Sequence, residues 1–294
     1  MNVLIIGSGG YIGKYLCSAL RQDGFHVVGV SSSDGSGINP VTGLITERFT
    51  IPTSTESIVY LAQSPYYRQV PEKSDHLMAV NVFSAIQIAN LARRAKVKRF
   101  IYLSTGSVYQ PSFAPLSEQA PLHRDNWYSL SKIHAEEALN LFKNDMDINI
   151  VRPFGIYGPG QQDKLIPNIF NAIFNDQEIF IQRNLHDDQD KEGLRISWCY
   201  IDDAIDILKK LILNGGPSVL NLAGNQPISI RKLAQLIAHY LGKTPHFQIT
   251  DVTREGDLIA DITLLQKTFS PKFTTIEDGM NAVVKSMIKL NYNE

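Results

Sequence analysis

The stretch Gly7-Ser8-Gly9-Gly10-Tyr11-Ile12-Gly13 constrains this chain more than any other, because of what flanks it. Residues 3–6 are a short apolar run, and residues 11–20 repeat their apolar side chains with a helical period. The glycines therefore stand where a strand turns into a helix. One glycine permits the tight turn, a second lets backbone approach a ligand, and a third lets helix and strand pack closely. The helix that starts there offers N–H groups and a positive dipole end. Gly7, Gly10, Tyr11, Ile12 and Gly13 are the expected cradle for the pyrophosphate of a dinucleotide.

The alternation continues downstream. Residues 27–30, 57–62, 100–104 and 148–152 read as strands, with helices expected at 76–95 and 128–142. Strands alternating with helices give a parallel sheet covered on both faces, so the fold class is α/β, doubly wound. Between residues 31 and 57 only 44–49 resembles a strand, and no helical crossover fits, so a bare loop is expected. After Arg152, the prolines and glycines at 153, 155, 158, 159 and 160 mark a break. Helices are then expected at 165–174, 203–213, 230–241 and 276–290, strands at 196–201 and 219–222, and a charged loop at 186–193. We assign 1–154 and 197–223 to a Rossmann dinucleotide-binding domain. A second, smaller α/β substrate domain takes 155–196 and 224–294.

Composition removes other function classes. The chain has 294 residues, with 28 lysines and arginines against 29 acids, which argues against a broad nucleic-acid surface. The basic run from Arg93 to Arg99 ends a helix, where cations complement the dipole. Asp187, Asp188, Asp190 and Glu192 lack the spacing of a Ca²⁺ loop and read as a solvated loop, so no metal is expected. No apolar run approaches a membrane span. The apolar start lacks a basic leader, and two cysteines in apolar segments fit a reducing compartment, so a cytoplasmic location is expected.

Chemistry-bearing residues cluster in two places. Tyr128 and Lys132 stand four apart at the start of a helix and so share a face. A neighbouring ammonium favours phenolate and should lower the tyrosine's pKa towards the range of general acid–base work. Upstream, the strand at 100–104 ends in Ser104, Thr105 and Ser107, at the end of a parallel strand where ligands bind. A non-catalytic dinucleotide sensor on the same fold is the rival reading, although it has no need of Thr105, Tyr128 and Lys132 together.

The glycine turn, the Thr105/Tyr128/Lys132 set and several landmarks resemble the extended short-chain dehydrogenase/reductase superfamily, and within it the nucleotide-sugar epimerases and dehydratases. The landmarks are Tyr60-Leu61-Ala62, Asn81-Val82, Arg152-Pro153-Phe154, Tyr157-Gly158-Pro159-Gly160, Tyr200-Ile201-Asp202-Asp203 and Asn221-Leu222-Ala223-Gly224. The resemblance implies catalysis by Thr105, Tyr128 and Lys132, with Lys132 also on the nicotinamide ribose. It places Leu61, Ala62, Asn81, Pro153 and Phe154 along the cofactor. Arg254-Glu255-Gly256-Asp257 resembles the epimerases' Arg-x-Gly-Asp, implying arginine on the diphosphate and aspartate near the nucleoside ribose. Arg195 is a second candidate for the diphosphate, and Thr105, Ser107 and Tyr128 for the sugar. A homodimer through the 76–95 and 128–142 helices is also implied.

Three departures sharpen the expectation. No acid follows the second strand, where Ser31, Ser32 and Ser33 stand instead. A ribose 2′-phosphate is then not repelled, and with Arg48 as the candidate cation the choice between NAD and NADP tips to NADP. Gly155 replaces a substrate-contacting asparagine common in the family. Gly106 and Ser107 stand where the 4,6-dehydratases carry Asp-Glu, and decarboxylases carry a glutamate at the second position, which disfavours both reactions. The expected function is epimerisation or 4-keto reduction at C4 of a nucleoside-diphosphate sugar.

Overall fold

The computed structural model describes residues 1–32, 35 and 37–291, so Ser33 of the serine triplet lies outside the described residues. Contact clustering divides the chain into two compact units. The first comprises Met1–Gln110, Ala120–Pro153 and Ile205–Asn221, and the second Pro111–Gln119, Phe154–Ala204 and Leu222–Glu294.

The chain runs β1 (Asn2–Ile6), α1 (Tyr11–Gln22), β2 (His26–Val30), β3 (Ser57–Tyr60), α2 (Ser74–Met78), α3 (Ala85–Arg94), β4 (Arg99–Leu103), α4 (Trp127–Asn140), β5 (Asp147–Pro153), β6 (Gly155–Tyr157), α5 (Leu165–Phe174) and β7 (Glu178–Asn184). It continues with β8 (Arg195–Tyr200), α6 (Ile201–Asn214), β9 (Val219–Leu222), β10 (Pro227–Ser229), α7 (Ile230–Leu241), β11 (His246–Arg254), α8 (Thr263–Phe269) and α9 (Ile276–Asn291).

Among the described residues, six strands form the first unit's sheet in the order β2-β1-β3-β4-β5-β9, with parallel pairing from β2 through β5. The doubly wound expectation holds. Alternate residues of the strands face opposite ways, and both sets are buried. Leu4, Ile6, Ile58, Tyr60, Phe100 and Tyr102 pack with Val82, Ile88, Ala135 and Leu139 of the flanking helical segments. Val3, Ile5, Val59 and Ile101 point the other way and are equally buried, as are Leu16 and Leu20 of α1. Because β2 lies on one side of β1 and β3 on the other, the sheet has its switch point at the ends of β1 and β3. That crevice is where the glycine turn emerges.

The described residues between Ser31 and Glu56 form the expected loop, with an isolated Ile38–Ile45 bridge in place of a strand. One element differs from expectation. The long helix at 76–95 is broken into α2, a π-helical turn at Ala79–Ser84, and α3. An α-helical apolar period cannot announce a π turn, since one inserted residue leaves the pattern nearly intact.

The second unit holds a three-stranded sheet, β10-β8-β6, and a two-stranded parallel ribbon, β11-β7. Its core joins Tyr157, Phe170, Ile181, Trp198, Leu233, Ile237 and Met280. β8 pairs with β6 and β10, so residues 197–204 pack in this unit rather than in the dinucleotide-binding domain assigned from sequence. No helix among the described residues is long and apolar enough to cross a membrane.

Candidate active site

The glycine turn is built by backbone crowding. Gly7 has φ +91, and a Cβ there would lie 2.7 Å from the Ala62 amide nitrogen. A Cβ on Gly13 would lie 2.3 Å from the Gly7 carbonyl oxygen. Gly10 differs, because a Cβ there would meet only that same carbonyl, at 3.4 Å. Protein packing thus demands Gly7 and Gly13 but not Gly10, whose bare backbone borders open space.

That space is a groove of about 450 Å³ lined by Gly7, Gly10, Ser31, Ser32, Leu61 and Ala62 among others. Helix α1 starts at its edge, with no side chain capping its N-terminus and no acid in its first turn. An uncapped helix end beside a glycine-lined groove fits a dinucleotide's pyrophosphate. Tyr11 and Ile12 open the helix, while Gly13 is buried beneath the turn. The sequence reading missed Asn39, Pro40, Tyr66 and His76, which also line the groove. The loop 31–56 brings in the first two. His76 reaches it from α2, held by the Ser64 hydroxyl at 2.8 Å and the Pro40 carbonyl at 3.1 Å. Arg48 is exposed and not among the lining residues.

Beyond the groove, a directed chain of hydrogen bonds runs to the phenol. The Ser107 amide donates to Thr105 Oγ1 at 3.1 Å, Thr105 bonds to the Tyr128 hydroxyl, and that hydroxyl donates to Gln63 Oε1 at 3.1 Å. Helix α4 is positioned for this by its cap and flank. Asn126 Oδ1 accepts from the Ser129 amide at 2.8 Å, and Ser129 Oγ donates to the Ser107 carbonyl at 2.7 Å. The Ser107 side chain is exposed, so here its backbone carries the contacts. Asn81 is fully buried in the π turn, where its Nδ2 donates to Ser131 Oγ at 3.0 Å. Backbone carbonyls in that turn accept from the Tyr60 and Tyr102 hydroxyls. Lys132 is buried; its Nζ donates to the Leu103 carbonyl at 2.9 Å and lies 4.8 Å from the centre of the Tyr102 ring. Pro153 ends β5, and Phe154, buried, opens the second unit with its amide on the Leu222 carbonyl at 3.0 Å.

In the second unit, Arg195, Arg254 and Asp257 are brought together as expected residues, joined by one that was not. Arg254 Nε donates to Asp257 Oδ1 at 3.1 Å, and its Nη2 donates to Asp190 Oδ2 at 2.5 Å. Arg195 Nη1 reaches Asp190 Oδ2 at 2.9 Å and Asp257 Oδ2 at 3.4 Å. Phe113 lies 5.4 Å from the Arg254 guanidinium. Trp198 accounts for Gly155: a Cβ at that position would lie 2.6 Å from the indole Cε3. The ring fills the space that an asparagine would need.

Residues 3–223 match the NAD dependent epimerase/dehydratase family. The chain belongs to that family. Among its relatives is the UDP-glucose 4-epimerase of Mycolicibacterium smegmatis, 27% identical over 82% of this chain and 83% of the relative. The dTDP-4-dehydro-6-deoxyglucose reductase of Escherichia coli is 24% identical over 97% of each chain. The crystal structure of UDP-glucuronic acid 4-epimerase from Bacillus cereus, in complex with UDP-glucuronic acid and NAD, superposes with a TM-score of 0.80. It is 21% identical, covering 99% of this chain and 100% of that one.

As a member of the epimerase/dehydratase family the chain is an enzyme, and its electrostatics bear on the chemistry. Loss of surrounding water pushes the Tyr128 phenol up to about 12, and the Thr105 hydrogen bond only partly offsets this. The expected lowering by Lys132 is not seen, because the ammonium turns inward to the Leu103 carbonyl. Burial lowers Lys132 itself to about 7, against a smaller opposing pull from Glu136 one turn further on. Glu136 is bound by Ser104 Oγ and by the Arg152 guanidinium, whose Nε reaches it at 3.1 and 3.2 Å. For Asp190, burial alone would raise the carboxyl. Hydrogen bonds from Arg254, the Glu192 amide and Arg195 outweigh it and hold the group well below the usual carboxylate range.

Proposed function

We propose that this enzyme moves hydride at C4 of a nucleoside-diphosphate sugar, as a 4-epimerase that keeps its dinucleotide through the cycle. The observation that carries the reading is the Ser107–Thr105–Tyr128 hydrogen-bond chain at the C-terminal end of β4, with no carboxylate at Gly106 or Ser107. A dehydratase needs a further acid and base beside the phenol. The UDP-sugars named for the relatives support the substrate class.

Thr105 Oγ1 and Tyr128 are the groups for the C4 hydroxyl. Tyr128 takes the hydroxyl proton as C4 is oxidised and returns it when the ketone is reduced on its other face. Gly7, Gly10, Leu61 and Ala62 would hold the dinucleotide, which when bound and oxidised would supply the hydride acceptor and a positive charge that favours phenolate. Lys132, poised near 7, is the group that gains or sheds a proton most readily as charge develops. In the second unit, Arg254 and Arg195 are the donors for the diphosphate, suited to it by their planar forks, and Asp257 is the acceptor for the nucleoside ribose.

A 4-keto reductase would use the same residues once per turnover. The serines after β2, which admit a 2′-phosphate, favour it. For the groove as described we take NAD, because a 2′-phosphate would find no lysine or arginine among the lining residues. Exposed Phe83 and Leu141, on the segments expected to form the homodimer, support dimerisation, which light scattering tests.

The deciding assay offers UDP-, GDP-, CDP- and dTDP-sugars and their 4-keto forms, with NAD or NADPH. Interconversion of C4 epimers without net change in the dinucleotide is expected. Stoichiometric NADPH oxidation moves the reading to the reductase, and no turnover of any substrate overturns both.

A further inference from the structure

The acidic loop between β7 and β8 was read from sequence as solvated, yet one of its carboxylates is among the most thoroughly engaged in the second unit. Asp190 is 9% exposed and accepts from Arg254, Arg195, the Glu192 amide at 2.9 Å and Asn184 Nδ2 at 3.4 Å. Its neighbours Asp187 and Asp188 are exposed. The difference is local, and it falls on the two arginines that the proposed reading gives to the substrate's diphosphate.

Charge makes the conflict plain. Asp190, Asp257, Arg195 and Arg254 sum to zero, so as they stand they offer no net attraction to a diphosphate. Arg254 is also engaged at each of its three nitrogens. Its Nε is on Asp257, its Nη2 on Asp190, and its Nη1 3.4 Å from the Gln182 carbonyl. If Asp190 leaves, the remaining three carry one positive charge and a guanidinium edge is free.

We propose that Asp190 is an internal stand-in for the substrate's phosphate, which a nucleoside diphosphate must displace to bind. This rests on the reading of Arg254 and Arg195 as diphosphate donors. The loop is anchored on both sides of Asp190: before it, the Leu185 amide donates to the Arg254 carbonyl at 3.1 Å and the His186 ring lies edge-on to Phe113 at 5.8 Å. Lys191 and Glu192 are tied to the start of α7 through the Arg231 side chain at 2.6 Å, the Arg231 amide at 3.1 Å and Ser229 Oγ at 2.5 Å. Between these anchors Asp187, Asp188 and Gln189 are exposed and held by local turns. The Asp190 side chain can therefore swing between two fixed flanks without unmaking the core. The carboxylate keeps Arg254 and Arg195 paired when no substrate is present, at a cost to affinity when it arrives.

The test measures UDP, dTDP, GDP and CDP binding by calorimetry to the full chain and to Asp190→Asn, which keeps shape and removes charge. The variant should bind the preferred nucleotide about tenfold tighter or more, the scale of one charge-assisted hydrogen bond no longer competed for. If Asp190 only braces Arg254, the variant binds equally or more weakly, and the stand-in is overturned while nucleotide recognition survives. Absence of binding by either protein overturns the nucleotide-sugar reading together with it. Hydrogen exchange on the unmodified chain gives a second measurement that does not depend on the variant folding. Saturating nucleotide should speed exchange at the Glu192 amide, whose acceptor Asp190 departs. Protection there instead would overturn the proposal.

Discussion

In the first unit Lys132 is buried with a carbonyl and an aromatic face as its partners, whereas in the second unit Arg254 is buried against two carboxylates. Both cations are assigned to ligand, but they are kept in opposite states. Lys132 bears a desolvation penalty that Glu136 only partly offsets, seen as its fall to about 7, so its protonation is easily changed. Arg254 has its penalty met by Asp190 and Asp257, so its charge is fixed and what changes is its partner. The cluster proposed to move the proton is left electrostatically unfinished, and the one proposed for recognition is completed from within.

The largest expected effect falls on the unfinished part. Tyr128→Phe removes the only group at the end of the Ser107–Thr105 chain that can exchange a proton with an alcohol. Turnover should drop by about 10²–10⁴-fold, the usual worth of a positioned acid–base group. Dinucleotide affinity should stay within about twofold, since Tyr128 is not among the groove's lining residues. A variant keeping a tenth of the original rate would remove the phenol from its role.

Arg254→Gln probes the completed part. It leaves Asp190 and Asp257 buried with Arg195 as their remaining cation, and breaking such a set typically costs about 3–5 kcal/mol. Denaturant melts should show that loss even without any ligand. A cost below about 1 kcal/mol would mean the cluster is more hydrated than its burial suggests.

How much of this was legible in the sequence divides along the same line. The glycine turn, the strand leading to Thr105 and the i,i+4 pair Tyr128/Lys132 depend on local periodicity, and the structure places them where periodicity says. The direction of Lys132 was not legible, because spacing fixes which face a side chain leaves but not whether it turns inward to Leu103. Asp190 was hidden among exposed Asp187 and Asp188, and its pairing with Arg254, 64 residues on, sets it apart. Strand β11 was missed because its alternation is blurred: His246–Arg254 lies on an exposed ribbon, with Phe247 only partly buried and Ile249 and Val252 exposed. Without a buried face there is no period-2 signal to read.

Lys132→Met reverses the sign found at Arg254. Removing a buried, poorly compensated cation should stabilise the fold, by about 1–4 kcal/mol on the scale of buried charges replaced by apolar groups, while activity is lost. The gain depends on pH. The folded pKa of about 7 lies below the ordinary 10.5, so between those values the unfolded chain binds the extra proton and wild-type stability rises with pH. The variant's advantage should be full below pH 7 and shrink steadily towards pH 10. Melts at pH 6 and pH 9.5 compare the two, and an advantage that is equal or larger at the higher pH would show that Lys132 is not held neutral by burial.

The smallest effect concerns Gly155, where the constraint is packing rather than charge. A Cβ at Gly155 would press on the Trp198 ring and also lie 2.7 Å from Ile196 Cγ2. Gly155→Ala should therefore cost about 1–3 kcal/mol, the range for overpacking a filled core. If Trp198 is the obstacle, Trp198→Leu should relieve part of that cost, giving a coupling energy of at least about 0.5 kcal/mol in a double-mutant cycle. Additive losses would instead assign the strain to Ile196 and the backbone of β6. The indole also bears on this outcome, because its buried N–H has no hydrogen-bond partner among the described residues. Removing an unsatisfied donor regains part of what the lost ring contacts cost. Trp198→Leu should thus destabilise less than a comparable truncation of Phe170, a fully buried ring with no polar atom in the same core.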